Sequence, residues 1–404
     1  MLGAACGEAV AGKKLGNRAM LWGAVGGTIP DLDVFASFFT DEIGSTTFHR
    51  GFMHSFLFAA LAPWALAQLA HWFYGREVHR RRGYKAGAMA LWVLFYAGAA
   101  VGINLIPRAL NGQLSWIALA TTLSLGAWLV WRLWTDYWRR EQEEVDLPYL
   151  TWVSLFFWAI FTHPILDCFT SWGTQIWQPF SDVRVQWCTV SVVDPLATLP
   201  FGLCLLVAAR FSRKNRMRAV WNWLGLAWFC GYLCIYTLWH KTTVNRSLEE
   251  ALQARGMEYS RRYTNPTLMN NIVWSGLAEG DTAYYFAQYG FNDRDPGFHK
   301  FSTLPKNHHL LDPVPPDSRA GYFLRWFSDG YYNVQPYRGD TLQVNDLRFG
   351  LMGDTLVDDN YVFPFLVFKN ERGEWDIQQN NRNPENLEKS KRSLAGLWKR
   401  VWGE

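Results

Sequence analysis

Charge of one sign, closely spaced cysteines and a secretory leader are all scarce or missing in this chain of 404 residues. The formal net charge at pH 7 is only +4, so no nucleic-acid partner is expected on electrostatic grounds. None of the six cysteines forms a CxxC pair, so a thiolate zinc site is not expected either. The start MLGAACGEAVAGKKLG places its lysines after the apolar residues, which is the reverse of a secretory signal peptide.

Several cysteines lie inside apolar segments, where we expect them to behave as small buried side chains. Cys168 and Cys188 flank one loop. They would be able to form a disulfide if that loop faces an oxidising compartment, and free thiols are the alternative that we favour.

Long apolar runs dominate the chain up to about residue 240. A membrane span needs about 20 mainly apolar residues, and six stretches meet or nearly meet that length: 55–74, 88–107, 114–134, 150–167, 190–209 and 219–239. Residues 19–29 are too few to span and predict a half-buried or re-entrant helix. The expected fold class is therefore a mainly α-helical polytopic membrane protein with about six transmembrane helices.

The loops between these spans differ in positive charge. Arginine and lysine concentrate in loops 75–87 and 210–218, and loop 135–149 carries two arginines, whereas loops 108–113 and 168–189 hold one arginine each. The rich loops alternate with the poor ones, and the positive-inside rule makes the rich loops cytoplasmic. Residues 31–54, 167–189 and everything after about 240 are then extracytoplasmic, in a protein integral to a bacterial-type inner or plasma membrane.

From residue 241 the sequence becomes aromatic, β-branched and rich in turn residues, as in TAYYFAQYGF and YVFPFLVFK. That pattern predicts strands. We divide the chain into a helical membrane domain that carries the site (1–240), a β-rich extracytoplasmic domain (241–380) and an amphipathic tail (381–404). The tail suits a helix lying in the membrane interface, and packing against the β-rich domain is an equal alternative.

Three motifs place acids and histidines at the ends of apolar segments: PDLD with Asp31 and Asp33, HRGFMHS with His49 and His54, and HPILD with His163 and Asp167. Ionisable side chains at membrane depth usually have a functional reason to be there. The two residues of HPILD are four apart and share one helical face, and the two aspartates of PDLD project the same way if that segment is extended. The orientation given above puts all three motifs on one membrane face.

Each motif also has an ordinary structural interpretation. PDLD is compatible with a helix N-cap, HPILD with a polar helix end, and HRGFMHS with a solvated His–Arg pair beside a core histidine. For Asp194 in VVDPLATLP three roles stay open: a helix cap, an acid that contacts a metal ligand, or a metal ligand itself. Because three motifs meet on one face, we prefer a metal site, with zinc first and manganese or iron as alternatives, in one to three ions.

The chain resembles the YdjM-like family of membrane-bound metal-dependent hydrolases over most of residues 3–200. The resemblance rests on GAACGEAVAGKKLGNRAMLWGAVGGTIPDLDV, HRGFMHS, and HPILDCFTSWG followed by VVDPLATLP. It implies a bound metal and hydrolase chemistry. The pattern is also similar to the zinc phospholipase C and P1 nuclease group, in which His and Asp on helices hold a metal cluster. Family members begin with a histidine where this chain offers Glu8, which implies a carboxylate in place of one imidazole.

We therefore expect a metal-dependent hydrolase acting on a phosphoester of a lipid or other amphiphile at the outer membrane interface. Arg50 would stabilise developing negative charge, and Asp33 or Glu8 would accept a proton. The alternatives are a metal-ion or small-molecule transporter and a non-enzymatic scaffold with a structural metal. The expected metal ligands are Asp31, Asp33, His49, His54, His163 and Asp167.

Overall fold

The computed structural model describes residues 1–111, 115–139, 141–351, 361–380 and 396–403. Part of the 108–113 turn, residue 140 of the 135–149 loop and most of the 381–404 tail lie outside the described residues. The α-helices run over Leu2–Leu15 (α1), Asn17–Thr28 (α2), Glu42–Phe48 (α3), Phe56–Gly75 (α4), Arg82–Asn111 (α5), Trp116–Arg132 (α6), Tyr149–Cys168 (α7), Pro195–Arg210 (α8), Arg216–Gly231 (α9), Thr237–Gln253 (α10) and Arg319–Ser328 (α11). The strands run over Arg261–Pro266 (β1), Val273–Glu279 (β2), Ala283–Gly290 (β3), Ser302–Pro305 (β4), Tyr332–Pro336 (β5), Leu342–Leu351 (β6), Tyr361–Lys369 (β7) and Trp375–Gln379 (β8).

The predicted class, a mainly helical membrane protein with a β-rich C-terminal part, is confirmed. Five stretches of helix in the described residues are long and apolar enough to cross a membrane: Phe56–Gly75, Arg82–Leu105, Trp116–Trp138, Tyr149–Cys168 and Arg216–Gln253. The sixth expected span, 190–209, corresponds to α8, whose 16 residues fall short of a full crossing.

The chain divides into two compact units. The smaller one, residues 63–154, contains α5 and α6 and the adjoining parts of α4 and α7. Inside it, Asn104 Nδ2 donates to Thr122 Oγ1 at 3.0 Å between α5 and α6, and Tyr74 stacks on Trp152. The larger unit, residues 1–62 and 155–404, contains all three sequence motifs.

In the larger unit, α1 and α2 form a tight antiparallel hairpin that turns at Gly16, where φ is 58°. The two helices touch backbone to backbone, since a methyl group added at Gly7 would overlap the carbonyl oxygen of Ala19. The hairpin packs into one apolar core with α8 and α9, through side chains such as Phe201 and Phe229. Its second helix ends at Thr28, two residues before Pro30, so PDLD follows directly from this packed hairpin.

The β-rich part consists of two antiparallel four-stranded sheets, β1–β4 and β5–β8, each in sequential order. A helix covers each sheet: α10 packs Val244 and Leu248 against β2 and β3, and α11 packs Phe323 and Phe327 against the second sheet. Helix α10 continues past residue 240 to Gln253, so the helical part is longer than its predicted limit.

The described end of the tail, residues 396–403, packs against the β-rich part. Leu397 and Val401 are buried beside Val273, which is the packing alternative rather than the interfacial one. Cys168 and Cys188 are both buried free thiols in this structure.

Candidate metal centre

The two aspartates of PDLD lie in a 3-10 helix, Pro30–Phe38, that follows α2 directly. Pro30 occupies its first turn, where the fixed φ of proline suits a helix start. The segment is therefore not extended, so the condition under which both aspartates would project the same way is not met. Residues two apart on a 3-10 helix point to different sides. Accordingly the Asp31 side chain is 53% exposed, whereas that of Asp33 is 2% exposed.

The HRGFMHS motif turns the chain sharply between α3 and α4. His49 is the C-cap of α3, and Arg50 adopts a positive φ of 58°. His54 closes a short 3-10 turn, Phe52–His54, just before α4. Its side chain is fully buried. The side chains of His49, Arg50 and His54 therefore leave this turn in different directions.

His163 and Asp167 lie one turn apart on α7 and share a face, as their spacing predicted; His163 Nε2 is 3.5 Å from Asp167 Oδ2. Helix α7 brings this face against the two other motifs. His163 Nε2 is 3.3 Å from Asp31 Oδ1, and Asp167 Oδ2 is 3.3 Å from His54 Nε2. The imidazole rings of His54 and His163 are 5.0 Å apart.

Asp31, His54 and His163 together form a group that could hold a metal ion, with one ligand atom from each within 4.8 Å of the others. Five atoms here are buried without a hydrogen-bond partner in the described structure, namely Arg50 Nε, His54 Nδ1, His54 Nε2, His163 Nε2 and Asp167 Oδ2. Leaving such atoms unsatisfied costs free energy. A divalent cation would satisfy His54 Nε2, His163 Nε2 and Asp167 Oδ2, since oxygen and imidazole ligands suit zinc, manganese and iron.

The electrostatics of the centre also favour a cation. Burial by itself would lower the pKa of His54, but Asp167, Asp31 and Asp33 outweigh it and raise the pKa to about 10. Burial would likewise raise the pKa of Asp33, but His49 and His54 outweigh it and lower the pKa to about 2. For Asp31, His163 and His54 lower the pKa against the opposing effect of burial. The carboxylates of Asp31 and Asp33 are thus ionised and favour positive charge beside them.

Asp33 connects the parts of the HRGFMHS turn. Its Oδ2 accepts the backbone N–H of Arg50 at 2.7 Å, and its Oδ1 lies 3.0 Å from His49 Nδ1. Its Oδ2 is also 3.2 Å from His54 Nδ1. Because Asp33 contacts the Nδ1 side of His54, the Nε2 side stays directed at Asp31 and Asp167. This is the arrangement in which a carboxylate orients a ligand histidine from behind.

Arg50 lies beside the centre and is 8% exposed. Its Nε is 3.2 Å from Asp167 Oδ2, and its Nη1 donates to Thr170 Oγ1 at 2.6 Å. No hydrogen bond to Arg50 Nη2 is formed within the described part of the chain. Two residues were not predicted from the sequence: Thr170, which lies three residues after HPILD, and Gln175, whose backbone N–H donates to Arg50 O at 3.0 Å.

Trp172, also missed, joins the centre to the second sheet. Its ring packs edge-on against His49, with 5.6 Å between ring centroids, and on its other side against Phe327 of α11. Arg184 from the same loop donates to the Phe327 carbonyl at 3.0 Å. Helix α11 also pairs Arg319 with Asp41, the N-cap of α3. The β-rich part therefore contacts both segments that flank the centre.

Two predicted acids do not join this group. Glu8 pairs with Arg218 of α9 through both carboxylate oxygens, one of them at 2.6 Å from Nε, and both side chains are buried. Asp194 is the N-cap of α8, where it accepts from Leu196 N and from Tyr232 Oη at 2.7 Å. The structure thus supports the cap interpretation of Asp194 and gives Glu8 a structural partner.

Comparison with known proteins agrees with this description. A family model described as YdjM inner membrane protein matches residues 1–105 and 115–242, which include all three motifs. No curated protein and no solved structure matches the chain. The resemblance to zinc phospholipase C and P1 nuclease therefore stays a prediction.

Proposed function

The chain belongs to the YdjM inner membrane protein family. We propose that it is a metal-dependent hydrolase acting on a phosphoester. The observation that carries the proposal is the set of unsatisfied buried atoms on His54, His163 and Asp167 beside an arginine. In our proposal His54 Nε2, His163 Nε2 and carboxylate oxygens of Asp31 and Asp167 hold the ion. When bound, a divalent cation lowers the pKa of water and polarises a phosphoryl oxygen.

Arg50 supplies the fixed positive charge that a phosphoester needs. The bond to Thr170 and the contact with Asp167 hold its guanidinium in one orientation, and Nη2 stays available for an oxygen of the substrate. A pre-oriented donor of this kind stabilises negative charge that develops in the transition state.

His49 is the group that we assign to proton transfer. Its Nδ1 faces the Asp33 carboxylate at 3.0 Å, its side chain is 35% exposed, and no hydrogen bond to its Nε2 is formed among the described residues. A histidine held from behind by a carboxylate is a suitable general base. We therefore assign His49 and Asp33 to this pair rather than to the direct ligands, and leave Glu8 out of the chemistry.

We propose a membrane lipid or other amphiphile as the substrate and an extracytoplasmic location for the centre. The centre lies where α4 begins and α7 ends, and the other end of α4 leads into the arginine-rich segment 76–82. The positive-inside rule assigns that segment to the cytoplasm. Reporter fusions after Arg80 and after Gly256 should give opposite signals, and the same compartment at both positions would refute this orientation.

The decisive experiment combines metal analysis with hydrolysis. The purified protein should contain zinc, manganese or iron and should cleave phosphodiesters, including phospholipids in detergent, until a chelator is added. The double variant His163→Ala/Asp167→Ala should lose most of the metal and the activity.

A matched control exists in His299 and Asp295, which are also four residues apart and 3.5 Å from each other but are exposed. The variant Asp295→Ala/His299→Ala should retain metal and activity. Metal that survives the His163→Ala/Asp167→Ala change would refute the centre. Metal binding without chelator-sensitive hydrolysis would refute the enzyme and favour the scaffold or transporter alternatives.

A further inference from the structure

A group of exposed phenylalanines surrounds the segments that carry Asp33 and His49. We call it the aromatic rim. The exposed fraction reaches 76% at Phe38 and 87% at Phe39. The rim consists of Phe35, Phe38 and Phe39 on the 3-10 helix Pro30–Phe38 and its C-cap, of Phe48 at the end of α3, and of Phe52 in the turn that follows.

The backbone under the rim is well anchored, so the exposure does not reflect a loose loop. Asp33 is buried within the same 3-10 helix, and Asp41 caps α3 by accepting from Gly44 N at 2.8 Å. Ile43 of α3 is buried in the core around α11. Phe35 and Phe38 stack on each other at 5.9 Å but remain open to the outside. Proteins rarely leave a group of large apolar side chains exposed to water without a partner.

The rim is continuous with the ends of two membrane spans. Phe52 packs against Phe58 in the first turn of α4, with ring centroids 5.9 Å apart. Phe56, the first residue of α4, packs against Phe161 of α7 at 5.3 Å and against Trp177 at 5.4 Å. The rim therefore begins where the hydrocarbon-spanning segments end, and aromatic side chains are enriched at that level of a bilayer.

We propose that the aromatic rim lies in the lipid headgroup layer and that lipid-borne substrate reaches the centre sideways across it. The occupant of the rim is thus the lipid itself. Asp31 belongs to the same 3-10 helix and is half exposed, so the rim and the open side of the centre share one short segment. The choice of lipid as substrate rests on the proposed function, whereas the lipid contact of the rim does not.

The contact is tested without any activity measurement. A photo-crosslinking phenylalanine analogue replaces Phe39 in the full chain, in native membranes, and the products are analysed by mass spectrometry. The matched control replaces Tyr337, a 42% exposed aromatic residue in the turn after β5. Phospholipid adducts at position 39 and their absence at position 337 are expected. Adducts with a protein, including a second copy of this chain, or no adduct at position 39, would overturn the proposal.

The role in substrate delivery has its own test. Phe38→Asp/Phe39→Asp should raise KM for phospholipid in vesicles of phosphatidylethanolamine and phosphatidylglycerol by roughly tenfold or more, because two apolar rings no longer enter the lipid. Metal content and cleavage of a water-soluble short-chain phosphodiester should stay as in Tyr337→Asp. Equal losses on both substrates would refute delivery. A wild-type protein without hydrolysis would refute the proposed function while the cross-link result still decides the lipid contact.

Discussion

Substitution of Asp33 separates the roles of the two PDLD carboxylates. From the sequence we expect both to be metal ligands. In the structure, however, Asp33 accepts the backbone N–H of Arg50 and contacts the Nδ1 atoms of His49 and His54. Asp31 instead faces the Nε2 atoms and is half exposed. We therefore expect Asp33→Asn to act mainly on stability and Asp31→Asn mainly on metal affinity.

The magnitudes follow from these contacts. An asparagine at position 33 keeps an acceptor for Arg50 N but loses the charge that strengthens each bond, which costs about 1.5–3 kcal/mol of unfolding free energy. Asp33→Ala also leaves the buried Arg50 N–H without a partner, which adds about 1–3 kcal/mol. Since Asp33 orients His54 from behind, metal affinity should fall roughly 10–100-fold. Asp31→Asn removes the charge of a half-exposed group that lies 3.6 Å from His54 Nε2 and 3.3 Å from His163 Nε2, so the metal-free protein should lose stability, but less than in Asp33→Asn.

The assay is thermal unfolding in detergent with chelator present, followed by competition measurements of metal affinity on each variant. Chelator is needed because bound metal would itself stabilise the folded state. The expected order of unfolding midpoints, from highest to lowest, is wild type, Asp31→Asn, Asp33→Asn and Asp33→Ala. If Asp33→Asn strips the metal as completely as Asp31→Asn while its unfolding midpoint stays unchanged, Asp33 is a direct ligand and our assignment is wrong.

Three further outcomes are expected. Arg50→Ala should retain metal but lose turnover by roughly 10²-fold or more, measured as kcat on metal-loaded protein; loss of metal would contradict a purely electrostatic role. Arg218→Ala should lower the free energy of unfolding by about 3–5 kcal/mol, because it leaves the Glu8 carboxylate buried and unpaired. Turnover per folded molecule should not change. A selective loss of turnover in Glu8→Gln would instead support Glu8 as a proton acceptor. Gly7→Ala should lower the unfolding midpoint by an amount equivalent to about 1–3 kcal/mol or more through overlap with α2, whereas Gly75→Ala, with open space around it, should not.

Part of the centre could be predicted from sequence because its cause is local. A spacing of four on an apolar helix places His163 and Asp167 on one face wherever that helix lies. The direction of the PDLD side chains could not be predicted in this way, because a shared direction holds only for an extended segment and Pro30 instead starts a 3-10 helix. Asp31 and Asp33 therefore point to different sides of that helix.

Other parts of the centre depend on contacts across long stretches of chain. The contact between Trp172 and Phe327 and the pairing of Arg319 with Asp41 join segments more than 100 residues apart in sequence. No periodicity or short motif in either segment records the other. The signal available was the composition of FTSWGTQ, in which a tryptophan and hydrogen-bonding side chains follow HPILD directly.

Two buried ion pairs of the described structure differ from the centre in the partners of their acids. In these two pairs each buried acid bonds to one arginine, Glu8 to Arg218 and Asp346 to Arg348. Such pairs are complete in themselves, and breaking one costs stability. The centre differs, since Asp167 Oδ2 lies near Arg50, His54 and His163 at once. Its three carboxylates converge on two imidazoles, and atoms of His54, His163 and Asp167 remain without hydrogen bonds in the described structure.

An incomplete buried group is costly unless something else completes it. At this position a cation does so with the ligand types that are present, and Arg50 beside it adds the charge that a phosphoester requires. Burial of an acid in an apolar helix therefore does not by itself distinguish Glu8 from Asp167. What distinguishes the two acids is whether their buried atoms lack a hydrogen-bond partner. For this reason we expect Glu8 to affect folding and Asp167 to affect metal binding.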